Sequence, residues 1–124
     1  MKANPRADGS SLGPDGHDRP AVPSGGLDVA HMLDNAVEAT ALLKALSHET
    51  RLVILCLLID GEKTVRELEV RLDLRQPVVS QHLARLRADA LVETRRDGKN
   101  VAYSIARPEI TEVLRALYRT FCLR

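Results

Sequence analysis

The sequence predicts a mainly α-helical fold that carries one small β-hairpin. Three observations support this: apolar residues recur at helical spacing, a capping box opens one short helix, and two β-prone runs flank an Asp-Gly turn. The chain has 124 residues and a formal net charge of +1. That length predicts one domain, and the charge excludes a broadly basic nucleic-acid coat.

The first 28 residues differ in composition from the rest of the chain. They contain four of the six prolines and five of the seven glycines. Such a segment cannot bury enough apolar surface to offset the entropy of ordering it. We therefore expect residues 1–28 to be a flexible tail and residues 29–124 to form the folded domain.

Two apolar helices are predicted at the start of this domain. Met32, Ala36 and Leu43 recur at helical spacing and predict a helix over about 29–46. A second helix is predicted over about 49–60, with a glycine at its C-terminal cap. Because every residue from 52 to 59 is apolar, we expect this helix to be surrounded on most sides.

Two shorter helices and a tight turn follow. The capping box Thr64–Glu67 predicts a third helix over about 65–72. A turn over residues 73–75 and the proline at position 77 then favour a fourth helix over about 76–88. This order is typical of a helix-turn-helix, in which the second helix reads DNA.

A hairpin and a last helix complete the domain. Residues 92–96 and 101–105 flank the turn Asp97-Gly98-Lys99-Asn100, which is a hairpin signature. Pro108 precedes a last helix with a broad apolar stripe. That stripe comprises Ile110, Val113, Leu114, Leu117, Tyr118 and Phe121. The predicted fold is a five-helix winged helix-turn-helix in the order ααα-α-ββ-α.

The fourth helix has two different faces. At about 100° per residue, its inward stripe comprises Val79, Leu83 and Leu86. The opposite face is small and polar, and Gln and Ser side chains suit the edges of bases. The residues of this helix and its flank that we expect to contact DNA are Arg75, Gln76, Ser80 and Gln81.

The hairpin is a basic wing. Its turn places Arg95, Arg96 and Lys99 beside the fourth helix, where they are expected to contact phosphates or the minor groove. From Arg71 to Lys99 there are seven basic residues against four acidic ones. The alternative is a helical domain whose hairpin only covers an edge of the core.

Two segments resemble the ArsR/SmtB family of repressors. They are LLKALSHETRLVILCLL and TVRELEVRLDLRQPVVSQHLARLRADALVETRRDGKNVAYSI, and the similarity covers about residues 40–107. The resemblance implies a homodimer joined by the first and last helices. Its two reading helices would contact double-stranded operator DNA at symmetric half-sites about one helical turn apart.

Metal sensing, which is common in that family, is not expected here. One family site needs a thiol pair on the third helix, which has no cysteine, and another needs His ligands on the last helix, which has none. His17, His31, His48 and His82 form no ligand pair in the sequence. We therefore expect neither a metal nor a cofactor; the alternative is that folding brings His31 and His48 together.

The chain has two cysteines, Cys56 and Cys122. Their contexts, ILCLL and RTFC, resemble the persulfide-sensing branch of the family. The resemblance implies that the two thiols of one subunit are a sensor, and that a polysulfide crosslink between them releases DNA. One alternative is that each cysteine is a small buried hydrophobe. Another is a repressor that responds to a different oxidant, an electrophile or a metal.

Other classes of protein are less compatible with the sequence. There is no phosphate loop, no nucleophile motif and no general base paired with either cysteine, so we do not expect an enzyme. No apolar run reaches the roughly 18 residues of a membrane span, and no signal peptide precedes the domain, so we expect a cytoplasmic protein. A winged-helix module that binds only proteins is disfavoured by the polar face of the fourth helix.

Overall fold

The computed structural model describes residues 26–123. Most of the predicted tail, residues 1–25, lies outside the described residues, and residues 26–28 have no regular structure. The chain divides into two units, Met1–Ala41 and Leu42–Arg124. Within residues 26–123, no helix is long and apolar enough to cross a membrane.

The described residues form five helices and one small antiparallel sheet. The elements are α1 (Val29–Leu46), α2 (Glu49–Leu58), β1 (Lys63–Thr64), α3 (Val65–Leu72), α4 (Gln76–Ala88), β2 (Val92–Asp97), β3 (Asn100–Ile105) and α5 (Ile110–Cys122). The predicted winged helix-turn-helix is confirmed. The sequence did not predict β1, which pairs with β3 and gives the strand order β1-β3-β2. Two residues are too few to produce an alternating pattern.

Helix α1 has the predicted bounds and a largely exposed surface. Met32, Leu33 and Val37 are exposed, the last of them by 79%. Near the end of the helix, Ala45 and Leu46 are buried. The apolar residues of its first three turns therefore remain available for a partner.

The core of the second unit is built from several helices. Leu55 on α2, Leu68 on α3, Leu83 on α4 and Leu114 on α5 are each fully buried. Val79 and Leu86 are buried with Leu83, which confirms the predicted inward stripe of α4. The core therefore fixes which face of α4 is turned outward.

The prediction that the second helix is surrounded on most sides holds only in part: Ile54, Leu55 and Leu58 are buried, but one side remains open. Val53 is 45% exposed, and Cys56 and Leu57 are only half-buried. The helix also ends at Leu58, and Gly61 follows it with φ of 135° and an amide that donates to the Leu58 carbonyl. A run that is apolar at every position has no period, so it does not reveal which face is covered.

Local hydrogen bonds fix the ends of the short elements. The Thr64 hydroxyl accepts from the Glu67 amide, and the Glu67 carboxylate accepts from the Thr64 amide, which confirms the capping box. Asp73 ends α3 in the left-handed region, with φ of 56°. Gly98 has φ of 65° in the two-residue turn of the hairpin, a conformation that favours glycine.

The apolar stripe of α5 is divided between core and surface. Ile110 and Leu114 are buried, whereas Val113, Tyr118 and Phe121 are exposed by 38%, 49% and 59%. Half of the predicted stripe therefore packs in the core of the unit, and the other half forms an apolar surface.

Candidate DNA-reading surface and thiol groove

Helix α4 presents the polar face that the sequence predicted. Gln76 and Gln81 are exposed, and Ser80 is half-buried. The Gln76 side-chain amide donates to the Ser80 hydroxyl across 2.7 Å. Two expected base contacts are therefore hydrogen-bonded to each other in the free protein, and each side chain keeps further donors and acceptors.

Arg75 lies directly before α4 and is exposed. It is the N-cap residue, its backbone is extended, and its side chain makes no capping hydrogen bond. The guanidinium is thus not used to cap the start of the helix. In helix-turn-helix proteins that bind DNA, the N-terminal end of the second helix contacts base edges in the major groove, and Arg75 directly precedes this end of α4.

The three basic wing residues differ from one another. Arg96 and Lys99 are exposed near the tip of the hairpin. Arg95 instead forms a bidentate salt bridge with Glu62, in which Arg95 Nε lies 3.1 Å from Glu62 Oε1. The hydrogen bond from Arg95 lowers the pKa of the Glu62 carboxyl. Sequence reasoning missed Glu62 because no local pattern links positions 33 residues apart.

Cys56 and Cys122 line one groove between α2 and α5. Its volume is about 740 Å³, and most of its other lining residues are apolar. They are Leu52, Val53, Leu57, Ile59, Asp60, Arg115, Leu117, Tyr118, Arg119 and Phe121. The fold therefore brings both cysteines to one open, largely apolar surface.

The two thiols have different surroundings. Cys56 is half-buried and Cys122 is exposed. Burial raises the pKa of the Cys56 thiol, and the nearby Cys122 raises it further. Because the thiolate is the reactive form of a cysteine, the raised pKa lowers the thiolate fraction of Cys56. Cys122 is the more accessible of the two sulfurs.

Two histidines that are far apart in the sequence meet in the structure. The rings of His48, at the start of α2, and His82, on α4, have centroids 4.5 Å apart. Burial lowers the pKa of His82, and the charges of His48 and Arg51 lower it further. Across the part of the chain that the structure describes, no group of three or more His, Cys, Asp and Glu residues is arranged to hold a metal ion. His17 lies outside that part.

Sequence comparison assigns these elements to a family. The model of the bacterial regulatory proteins of the arsR family matches residues 48–94, which include the whole helix-turn-helix. The transcriptional activator HlyU of Vibrio cholerae is 43% identical over 96 residues, which cover 77% of this chain and 89% of HlyU. This chain belongs to the ArsR family. It is a transcriptional regulator that binds DNA.

Solved structures support the same assignment. The transcriptional repressor BigR from Xylella fastidiosa matches this ArsR-family regulator with a TM-score of 0.73 and 40% identity, over 77% of this chain and 98% of BigR. The homodimeric winged helix-turn-helix domain of Mb0332 from Mycobacterium bovis matches with a TM-score of 0.61 and 30% identity, over 73% of this chain and 82% of that one.

Proposed function

We propose that this ArsR-family protein is a repressor whose reduced homodimer binds a symmetric operator. A chain of sulfur atoms that joins Cys56 and Cys122 within one subunit releases the DNA. The observation that carries the proposal is that both thiols line a single groove, with one thiol on each of the two helices that form it.

A dimer is supported by the exposed apolar residues of two helices. Leu33 and Val37 on α1, and Tyr118 and Phe121 on α5, are all exposed in the single chain. An exposed apolar face on a helix often marks an interaction site. The related Mb0332 domain is a homodimer. A two-fold dimer presents two copies of α4 to the same side of DNA.

Operator recognition divides into base contacts and phosphate contacts. Gln76, Ser80 and Gln81 read base edges from the outer face of α4, because side-chain amides and hydroxyls match the donors and acceptors of the major groove. Arg75, Arg96 and Lys99 hold phosphates, as does Arg95 once it leaves Glu62. Phosphate contacts orient the protein and carry no sequence information.

The inducer is a low-molecular-weight persulfide. The exposed Cys122 thiolate attacks the outer sulfur of the donor, forms a protein persulfide and releases the donor's thiol. A second transfer of the same kind lengthens the chain to Cys122–S–S–SH, in which the first sulfur is Cys122 Sγ. The Cys56 thiolate then attacks the middle sulfur and expels hydrosulfide, which leaves a trisulfide. Two protein thiols and two persulfide molecules thus yield one trisulfide, two donor thiols and one hydrogen sulfide. Arg115 and Arg119, which line the groove, favour the anionic donor.

Selectivity follows from the reach of the crosslink. A disulfide needs Cβ atoms about 3.5–4.5 Å apart, and each inserted sulfur adds about 2 Å. Cys56 belongs to a helix anchored by the buried Ile54, Leu55 and Leu58, whereas Cys122 is at the exposed end of α5. A polysulfide joins the two with less movement of the helices than a disulfide does.

The crosslink acts on DNA through α5. Joining Cys122 to the anchored α2 changes how the end of α5 packs against the partner subunit, and with it the spacing of the two reading helices. Couplings between sites are typically about 1–3 kcal/mol, or about 5- to 150-fold in affinity. We expect the operator affinity of the treated protein to fall within that range.

The test compares Cys56→Ser and Cys122→Ser with the wild-type protein. Each protein is treated with glutathione persulfide or with peroxide, and operator affinity is measured by mobility shift. The serine variants should bind the operator and keep it after either treatment, whereas the wild type should release it after the persulfide and keep it after peroxide. Release by either variant contradicts the dithiol switch.

Mass spectrometry of the same samples tests the crosslink itself. The persulfide-treated wild type should contain a Cys56–Cys122 link with at least one inserted sulfur. A simple disulfide as the main product of both reagents contradicts the selectivity argument. DNA release by an electrophile or a metal, without sulfur insertion, would assign a different inducer to the same repressor.

A further inference from the structure

Glu62 and Arg95 connect the segment after α2 to the wing. The Glu62 carboxylate accepts two hydrogen bonds from the Arg95 guanidinium, through Nε and Nη2. Both side chains are partly open to solvent, with exposed fractions of 40% for Glu62 and 56% for Arg95. Such a solvent-exposed pair contributes little to stability. The pair therefore matters mainly because it limits which other groups Arg95 can bind.

Acidic groups surround Arg95 on its strand as well. Side chains alternate between the faces of a strand, so Glu93 and Asp97 lie on the same face of β2 as Arg95. The Asp97 charge also favours the charged form of Arg95 and raises its pKa. Arg96 belongs to the other face. Of the basic residues of the wing, Arg95 is thus the one whose charge is already balanced within the protein.

The bridge has the geometry of a phosphate contact. Arginine binds carboxylates and phosphates through the same pair of parallel N–H donors, so one guanidinium edge serves either partner but not both. Any phosphate that approaches this edge of Arg95 must first displace Glu62.

We propose that Glu62 is an intramolecular competitor of DNA phosphate for Arg95, and that it sets the sequence-independent part of the DNA affinity. The proposal rests on the wing contacting DNA as described above. By holding Arg95, Glu62 weakens binding to operator and non-operator DNA by the same factor, because a phosphate contact carries no base information. Because both affinities fall by the same factor, their ratio is unchanged, and Glu62 sets how tightly the regulator binds DNA of any sequence.

The experiment measures the affinity of the full-length protein for an operator duplex and a scrambled duplex from 50 to 200 mM KCl. Glu62→Gln should bind both duplexes more tightly than the wild type, with a salt slope steeper by about one unit. The ratio of its DNA affinity to that of the wild type should fall by about 3.5-fold over that range, as expected for one additional phosphate contact. In an Arg95→Gln background the same substitution should change neither affinity nor slope.

Glu93→Gln is the matched control, since Glu93 is an exposed acid on the same face of the same strand. An equal gain for Glu93→Gln, or a gain that persists without Arg95, means a general charge effect and overturns the proposal. An unchanged slope for Glu62→Gln also overturns it. Glu62→Asp keeps the charge but shortens the side chain, so it should give a salt slope between those of the wild type and Glu62→Gln. It replaces the Gln variant if that variant fails to fold.

If the wild-type protein does not bind the operator duplex at all, the proposed function is refuted instead.

Discussion

Mild acid should destabilise this protein through the contact between α2 and α4. His48 caps α2, because its Nδ1 accepts a hydrogen bond from the Thr50 amide across 3.1 Å. His82 on α4 packs against the His48 ring, with ring centroids 4.5 Å apart. Burial lowers the pKa of His82 in the folded protein, and the charges of His48 and Arg51 lower it further, so protonation of His82 opposes the folded state.

The size of the effect follows from these contacts. A cation beside the N-terminus of a helix costs about 0.3–1 kcal/mol, or about 1–8 °C in Tm for a domain of this size, and His82 lies against His48 at the start of α2. The pKa of His82 in the folded protein is lowered, so its contribution is present above the unfolded value of about 6.5 and is lost as the pH falls.

Thermal unfolding at pH 7.5 and pH 5.5 measures this loss, and His82→Gln is the informative variant. Glutamine does not titrate in this range. The variant should therefore lose less Tm on acidification than the wild type does. The Glu62 carboxyl does not contribute, since its pKa is lowered and it titrates below this window. If His82→Gln and the wild type lose the same Tm, the argument from His82 is wrong.

Three further predictions concern the core, the wing and the reading helix. Leu83→Ala should lower the free energy of unfolding, measured in urea, by about 2–5 kcal/mol, because the Leu83 side chain is fully buried. The control Val78→Ala, on the exposed side of α4, should lower it far less. Gly98→Ala should lower stability by about 1–2 kcal/mol in thermal unfolding, because Gly98 has a φ of 65°. Crowding does not contribute, since no atom lies within 4 Å of an added Cβ. In salt-dependent binding assays, Lys99→Ala should weaken all duplexes alike and flatten the slope by about one unit, whereas Gln81→Ala should weaken only the operator. Identical behaviour of these two variants would refute the division into phosphate and base contacts.

Local signals in the sequence determined most of the secondary structure. The capping box at Thr64 and the turn at Gly98 each involve residues no more than a few positions apart, so their physics is contained in a short segment. The inward stripe of α4 was equally readable, because Val79, Leu83 and Leu86 repeat at the helical period. The polar outer face followed from that stripe by geometry.

Tertiary structure decided what these elements contact. The sequence placed Arg95 on a basic wing, but only the fold brings Glu62 to its guanidinium. Likewise, the composition of α2 could not reveal that Cys56 lies on its open side, because the residues next to it in the sequence are all apolar. Only folding brings Cys122 on α5 to the same groove. A helix or a turn is fixed by neighbours along the chain, whereas ion pairs, ring contacts and shared grooves depend on packing between segments that the sequence keeps far apart.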